Sequence, residues 1–258
     1  NYGCCTANFN QGWPKLALHA LQRTEKGFVV AHLLPVSAET QVDGVPVAIR
    51  VESDYPFRMR AEITVDVQAE ASFEVAVCVP SWAKNVRLNG KSFRIRQGHI
   101  ILKRTWHGCE TLSLTFSAVP RFVNRPTGLK TVEYGPLVFA LPIQTEYRMR
   151  EFIRSDVERK FPYCDYELIP QSAWNYGFAA SELTVEEHPV DDVPFSGIHP
   201  PVSIRVQLAP VEWDWEDGFD TVPAVKPAKN VPVGPAEEHR LIPYGCAKLR
   251  MTELPRLR

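Results

Sequence analysis

Phe73-Glu-Val-Ala-Val-Cys-Val79 places an apolar residue at every second position on one side and a polar or small one between. A backbone of that period turns its apolar set to one face, as in a half-buried β-strand. The same alternation lies upstream in Val45, Val47, Ile49 and Val51, and again in Met59, Ala61, Ile63, Val65 and Val67. Downstream it returns in Leu112, Leu114 and Phe116. Asn89-Gly90 follows Val86-Arg-Leu88 and precedes a second short β-like run. Both residues tolerate the left-handed backbone that a tight hairpin requires. Together these runs predict short antiparallel strands in a sandwich or jelly roll. The fold class is mainly β, with two jelly-roll-like β-sandwich modules. Cys78 within the first run reads as a buried small hydrophobe, with pairing to Cys109 left open.

One stretch has helical period: Asn8 to about Arg23, where Trp13, Leu16, Ala17, Ala20 and Leu21 recur. Pro14 fits the first turn of such a helix, with Asn8 or Asn10 as its cap. Pro120 to Gly128 holds two prolines and a glycine and marks a seam between modules. A second β-rich unit then includes Leu137 to Leu141 and Ser203 to Leu208. Twenty-two prolines, many between Pro162 and Pro235, exclude long helices and predict extended loops over strands. The division expected is a helical end at 1–25, a first sandwich at 26–125 and a second at 126–258.

Lys plus Arg number 29 against 30 Asp plus Glu. That balance gives no footprint for nucleic acid or an anionic membrane, and suits a neutral partner such as a sugar. The longest apolar runs, such as Leu137 to Ile143, fall well short of the roughly 20 residues that span a bilayer, so a soluble chain is expected. Residue 1 opens directly onto a dense motif, which reads as a fragment and leaves the compartment unassigned. Six cysteines, at 4, 5, 78, 109, 164 and 246, lack the spacing of a disulfide scaffold.

Adjacent Cys4 and Cys5 are the strongest chemical feature, since two thiols just before a helix can ligate a soft metal such as zinc. Two neighbouring structural cysteines are the commoner explanation of such a pair. Trp213-Asp-Trp215-Glu-Asp-Gly-Phe-Asp220 combines aromatics with carboxylates and could stack on a sugar or bind calcium. Its spacing matches no EF-hand loop, and a packed loop is the plainer reading. The seven histidines are scattered singly, His19 reading as helix surface or barrel lining. Gly135-Pro136 reads as a turn before a strand.

Asn1-Tyr-Gly-Cys-Cys-Thr-Ala-Asn-Phe-Asn-Gln-Gly-Trp-Pro-Lys15 resembles the end of the catalytic domain in glycoside hydrolase family 127, the β-L-arabinofuranosidase family. Val79-Pro-Ser-Trp-Ala83, Leu88-Asn-Gly90, Arg104-Thr-Trp106, Gly135-Pro-Leu-Val138 and Leu241-Ile-Pro-Tyr-Gly-Cys246 extend the resemblance along most of the chain, in order. It implies the C-terminal part of a retaining exo-glycosidase, whose (α/α)6 barrel ends near residue 25 and whose sandwiches follow. By the same resemblance Cys4 is the nucleophile, Cys4 and Cys5 are zinc ligands, and the glutamate acid/base and remaining ligands lie upstream. The family's better-studied members read Cys-Cys-Pro-Pro-Asn where this chain has Cys4-Cys-Thr-Ala-Asn8, and an Asp is usual at Cys109. The partners implied are a glycan substrate and the catalytic barrel, and the chain alone is expected to be inactive. The alternative is a non-catalytic sandwich unit that supports a barrel or binds carbohydrate.

Overall fold

The computed structural model describes residues 3–218 and 222–258. Asn1 and Tyr2 of the opening motif, and Phe219 and Asp220 of the Trp213 run, lie outside the described residues. The chain is mainly β, with 53% strand and 7% helix. It divides into two compact units, Asn1–Ala118 and Val119–Arg258.

The first unit begins with helices α1 (Gly3–Phe9) and α2 (Gly12–Ala20). This corrects the single helix expected from Asn8 to Arg23. Pro14 supplies the reason: inside a continuous helix its ring would clash with the carbonyl four residues back, whereas here it lies in the first turn of α2. Neither Asn8 nor Asn10 is the cap of α2; that position is Gln11, which makes no side-chain cap bond. At the other end the chain leaves the helix at Leu21 to enter a hairpin of β1 (Leu21–Thr24) and β2 (Gly27–Val30).

Strands β3 (Val36–Val42), β4 (Val45–Glu52), β5 (Arg60–Cys78), β6 (Lys84–Leu88) and β7 (His99–Ser117) complete the unit. They form one seven-stranded sheet in the order β1-β2-β5-β4-β3, with β7 also on β5 and β6 on β7. Only β2 runs parallel to its neighbour β5. The runs around Ile63 and Val75, expected as separate short strands, are halves of a single 19-residue strand. At about 3.3 Å per residue such a strand would reach roughly 60 Å if straight. It is not uniform: the register with β7 shifts between Val67 and Ala71, where residues 68–70 oppose His107 alone.

Two extra residues preserve parity, so odd positions face the core on both sides of the irregularity. The N-terminal half of β5 pairs with β4, the C-terminal half with β2, and β7 follows both. The curled sheet thereby closes over one core that includes Phe28, Ile49, Ile63, Val75, Trp106 and Leu114. Trp106 is fully buried, stacks on Phe73 at 5.7 Å between centroids, and donates its indole N–H to the Phe73 carbonyl at 3.1 Å.

Two backbone features fix this unit's edges. Asn89 and Gly90 both have positive φ (49° and 73°), and Leu88 bridges Lys91, so the tight turn is present as expected. The run after it is no strand; β6 pairs with β7 instead. Gly27, at φ 146°, lies so close to β5 that a Cβ there would stand 2.0 Å from the Glu74 carbonyl oxygen.

The second unit comprises β8 (Arg121–Asn124), β9 (Lys130–Tyr134), β10 (Leu137–Pro142), β11 (Thr145–Arg150), β12 (Phe152–Arg154), β13 (Val157–Arg159), β14 (Asp165–Pro170), β15 (Tyr176–Phe178), β16 (Thr184–Glu187), β17 (Val202–Pro210), β18 (Glu237–Pro243) and β19 (Arg250–Met251). Its main sheet has the order β15-β17-β18-β10-β9-β8, with β16 on β17 and β19 on β10. Val132, Phe139, Phe178, Ile204, Leu208, Leu241 and Leu254 are all buried there. Gly135-Pro136 makes the two-residue turn between β9 and β10.

Strands β11 and β14 form a separate hairpin, with β12 and β13 paired at its tip. Register sets Tyr147 against Leu168 and Met149 against Tyr166 on one face. The other face carries ion pairs Arg148–Glu146 at 2.8 Å and Arg150–Glu167 at 2.9 Å. The proline-rich stretches after β16 and β17 are extended loops, as expected.

Candidate active-site cysteines

Cys4 and Cys5, expected just before a helix, lie instead within the first turn of α1, and both are exposed. Their sulfurs stand 3.7 Å apart. The loop between the helices is held by side chains: Asn8 donates from Nδ2 to the Cys4 carbonyl at 2.7 Å, and Gln11 donates from Nε2 to Asn8 Oδ1. Lys15 Nζ reaches Gln11 Oε1 at 3.2 Å. The Cys4 backbone is thus tied to the start of α2 through Asn8 and Gln11.

A tetrahedral zinc with thiolates at about 2.3 Å separates two sulfurs by about 3.8 Å. The Cys4–Cys5 spacing fits that separation, so the pair suits two of four donor positions. Among the described residues no group of three or more His, Cys, Asp or Glu is arranged to hold a metal. Further donors would have to be brought to the pair by other chain.

The helical segment carries its apolar residues outward. Phe9 is 74% exposed, Trp13 67% and Leu18 75%, and Ala20 alone of α2 is buried. His19 is on the exposed surface, its Nδ1 at 2.6 Å from the Lys15 carbonyl.

The remaining cysteines are free. Cys78, expected as buried, is half-buried and faces away from Val75 and Val77. It cannot pair with Cys109, because Cys78 stands opposite His99 and Cys109 opposite Asp66, ten residues apart along β7. Burial pushes the Cys78 thiol up, and pushes Cys246 up to about 11, which disfavours the nucleophilic thiolate at both.

In the described part of the Trp213 run, residues 213–218, Trp213 is packed and the others are exposed. Trp213 is buried and donates its indole N–H to the Ala224 carbonyl at 2.8 Å, while Trp174 packs on Trp213 and Trp215. Those rings are used on one another. Sequence period did not single out the polar groove beside Ser72 and Lys103, since its residues come from β5, β7 and the β1–β2 turn.

Residues 28–118 match the family described as "Beta-L-arabinofuranosidase, GH127 middle domain". Among solved structures, a GH127 β-L-arabinofuranosidase from Geobacillus stearothermophilus T6 is similar in fold, with a TM-score of 0.64 and 18% identity over 98% of this chain and 37% of that one. A structure titled glycoside hydrolase matches with a TM-score of 0.58 and 15% identity over 100% of this chain and 40% of that one. A GH127 β-arabinofuranosidase matches with a TM-score of 0.57 and 16% identity over 99% and 39%. The chain therefore spans about two fifths of these structures' lengths. No curated protein sequence matches it.

Proposed function

We propose, from the match of residues 28–118 to the GH127 β-L-arabinofuranosidase middle domain, that this chain is the C-terminal part of a retaining exo-glycosidase with Cys4 as nucleophile. The observation that carries the reading is the exposed pair Cys4 and Cys5, 3.7 Å apart on the helix that precedes that domain. The substrate class is a terminal β-linked L-arabinofuranose or a similar glycan residue.

In this reading the Cys4 sulfur attacks the anomeric carbon, forming a C–S bond as the glycosidic C–O bond breaks. The departing oxygen takes a proton from a carboxylic acid contributed upstream of Cys4, and water later cleaves the thioglycosyl bond. Cys4 and Cys5 would hold zinc, which when bound supplies a positive charge that keeps a thiol deprotonated. Asn8 holds the Cys4 backbone, and Gln11 holds Asn8, so the nucleophile is positioned by the turn between α1 and α2.

The outward Phe9, Trp13 and Leu18 support placing residues 1–25 at the end of an (α/α)6 barrel, because such apolar side chains stabilise a helix pair only when covered. On this reading the 258-residue chain alone does not turn over substrate. Mass spectrometry of the longer protein after treatment with a mechanism-based arabinofuranosyl inhibitor is expected to find the adduct on Cys4. An adduct on a carboxylate, or none on an active enzyme, refutes the assignment.

A second reading, of β units that act only as scaffold, draws on Trp174, Trp213 and Trp215, whose rings pack on one another. Calorimetric titration of residues 26–258 with oligosaccharides distinguishes it, since a pure scaffold binds none.

A further inference from the structure

Beside β5, where the sheet curls, lies a groove of about 520 Å³ lined by Lys26, Ser72, Phe73, Glu74, Lys103, Arg104 and Thr105. That volume is within the roughly 300–1,000 Å³ typical of small-molecule sites. The groove exists because β5 changes neighbours: β4 pairs with it as far as Val67, and β2 begins only at Glu74. Over Ala71 to Phe73 the strand has β7 on one side only. Glu74 donates its amide to the Lys26 carbonyl at 2.8 Å. Ser72, two residues earlier, turns its amide and carbonyl toward the same open side.

The side chains along this gap are donors. Ser72 and Thr105 stand opposite each other with their hydroxyl oxygens 2.8 Å apart. Arg104 is held in place by Glu110 at 2.7 Å and by the Trp106 ring at 4.1 Å, with guanidinium donors to spare. Lys26 and Lys103 have no carboxylate within ion-pair distance among the described residues, although Glu74 is the cross-strand neighbour of Lys103. Arg104, opposite Phe73 and paired with Glu110, lies on the other face of the β5–β7 pair, so Lys26 and Lys103 are the two cations that stand with the one lining carboxylate, Glu74. No exposed aromatic ring lines the groove, because Phe73 is 5% exposed. A neutral sugar would find no ring to stack on, while an anionic one finds two unpaired ammonium groups and a hydroxyl pair.

We propose that this groove binds an acidic glycan, a sugar chain carrying carboxylate or sulfate groups. Lys26 and Lys103 meet the anionic group, and the hydroxyls of Ser72 and Thr105 with the open edge of Ser72 meet ring hydroxyls. The inference rests on the glycosidase reading for the class of polymer alone. It would give the first unit a role in holding a charged region of the substrate outside the reaction centre.

Calorimetric titration of the 258-residue chain with an oligogalacturonate, a sulfated oligosaccharide and a neutral oligosaccharide of equal length, at about 20 mM and 150 mM salt, tests it. Saturable binding to an acidic chain, weakened by salt and absent for the neutral chain, is expected. The double variant Lys26→Ala, Lys103→Ala should weaken binding about two- to thirtyfold, the range for two exposed charge contacts. Lys91→Ala, at an exposed lysine outside the groove, should leave it unchanged. Preference between the uronate and the sulfated chain identifies the anionic group. Equal binding of the neutral chain, binding unaffected by the double variant, equal competition by citrate alone, or no binding of either acidic chain at low salt overturns the proposal. None of these outcomes involves Cys4, so failure here leaves the adduct experiment to judge the glycosidase reading separately.

Discussion

Replacing Gly27 by Ala tests how the parallel contact between β2 and β5 is made. The added Cβ would lie 2.0 Å from the Glu74 carbonyl oxygen, 2.7 Å from its nitrogen and 2.9 Å from its carbonyl carbon. All three are backbone atoms of the strand that organises the core, so no side chain can move aside. A φ of 146° adds backbone strain for any L side chain. Strain of about 1–3 kcal/mol and overpacking of about 1–3 kcal/mol together give a loss of about 2–6 kcal/mol for the first unit. Gly90→Ala is the control: its φ is 73°, but nothing lies within 4 Å of the added atom, so only strain of about 1–2 kcal/mol applies. Hydrogen exchange of β5 and β7 peptides across a urea series reads the first unit separately from the second. A Gly27→Ala variant no less stable than Gly90→Ala would refute the close approach as the reason for glycine.

Trp106→Ala removes a fully buried ring, its stack on Phe73 and its hydrogen bond, and should cost about 3–5 kcal/mol in the same assay. Thr131→Val should cost about 1–2 kcal/mol, because the buried Thr131 hydroxyl accepts from Arg125 Nε at 2.8 Å and valine leaves that donor unmet. Arg148→Ala, at an exposed ion pair on the β11–β14 hairpin, should change stability by less than about 1 kcal/mol on thermal melting. Cys246 retains its proton in the folded chain up to about pH 11, against a usual value of 9.0. The folded state therefore holds that proton more tightly, and its contribution is intact below pH 9 and lost as pH rises toward 11. Timed alkylation at pH 8 followed by mass spectrometry should label Cys4, Cys5 and Cys109 first and Cys246 last.

Much of the first unit was legible because strand faces are a local property. Val47, Ile49, Val51, Ile63, Val65, Val75, Val77, Leu112 and Leu114 all turn inward as their alternation required. Asn89-Gly90 was legible for the same reason, since the turn depends on the φ values of two adjacent residues. The helical segment was legible in kind and wrong in extent: period gave the apolar recurrence, but the position of Pro14 decides where a helix can start. The Cys4–Cys5 pair stood out in the sequence, and the structure adds the 3.7 Å spacing that suits a shared metal.

By itself the sequence determined the alternating strands of the first unit and their buried faces, and it singled out Cys4 and Cys5 as the candidate thiols. These follow from steric and periodic rules that act over a few residues. Tertiary structure alone decided that two alternating runs are one strand bent at Val67–Ala71, that Gly27 must approach Glu74, and that Lys26, Ser72 and Lys103 share a groove. Those depend on pairings between strands tens of residues apart, whose register is set by the packing of the whole core and not by local period.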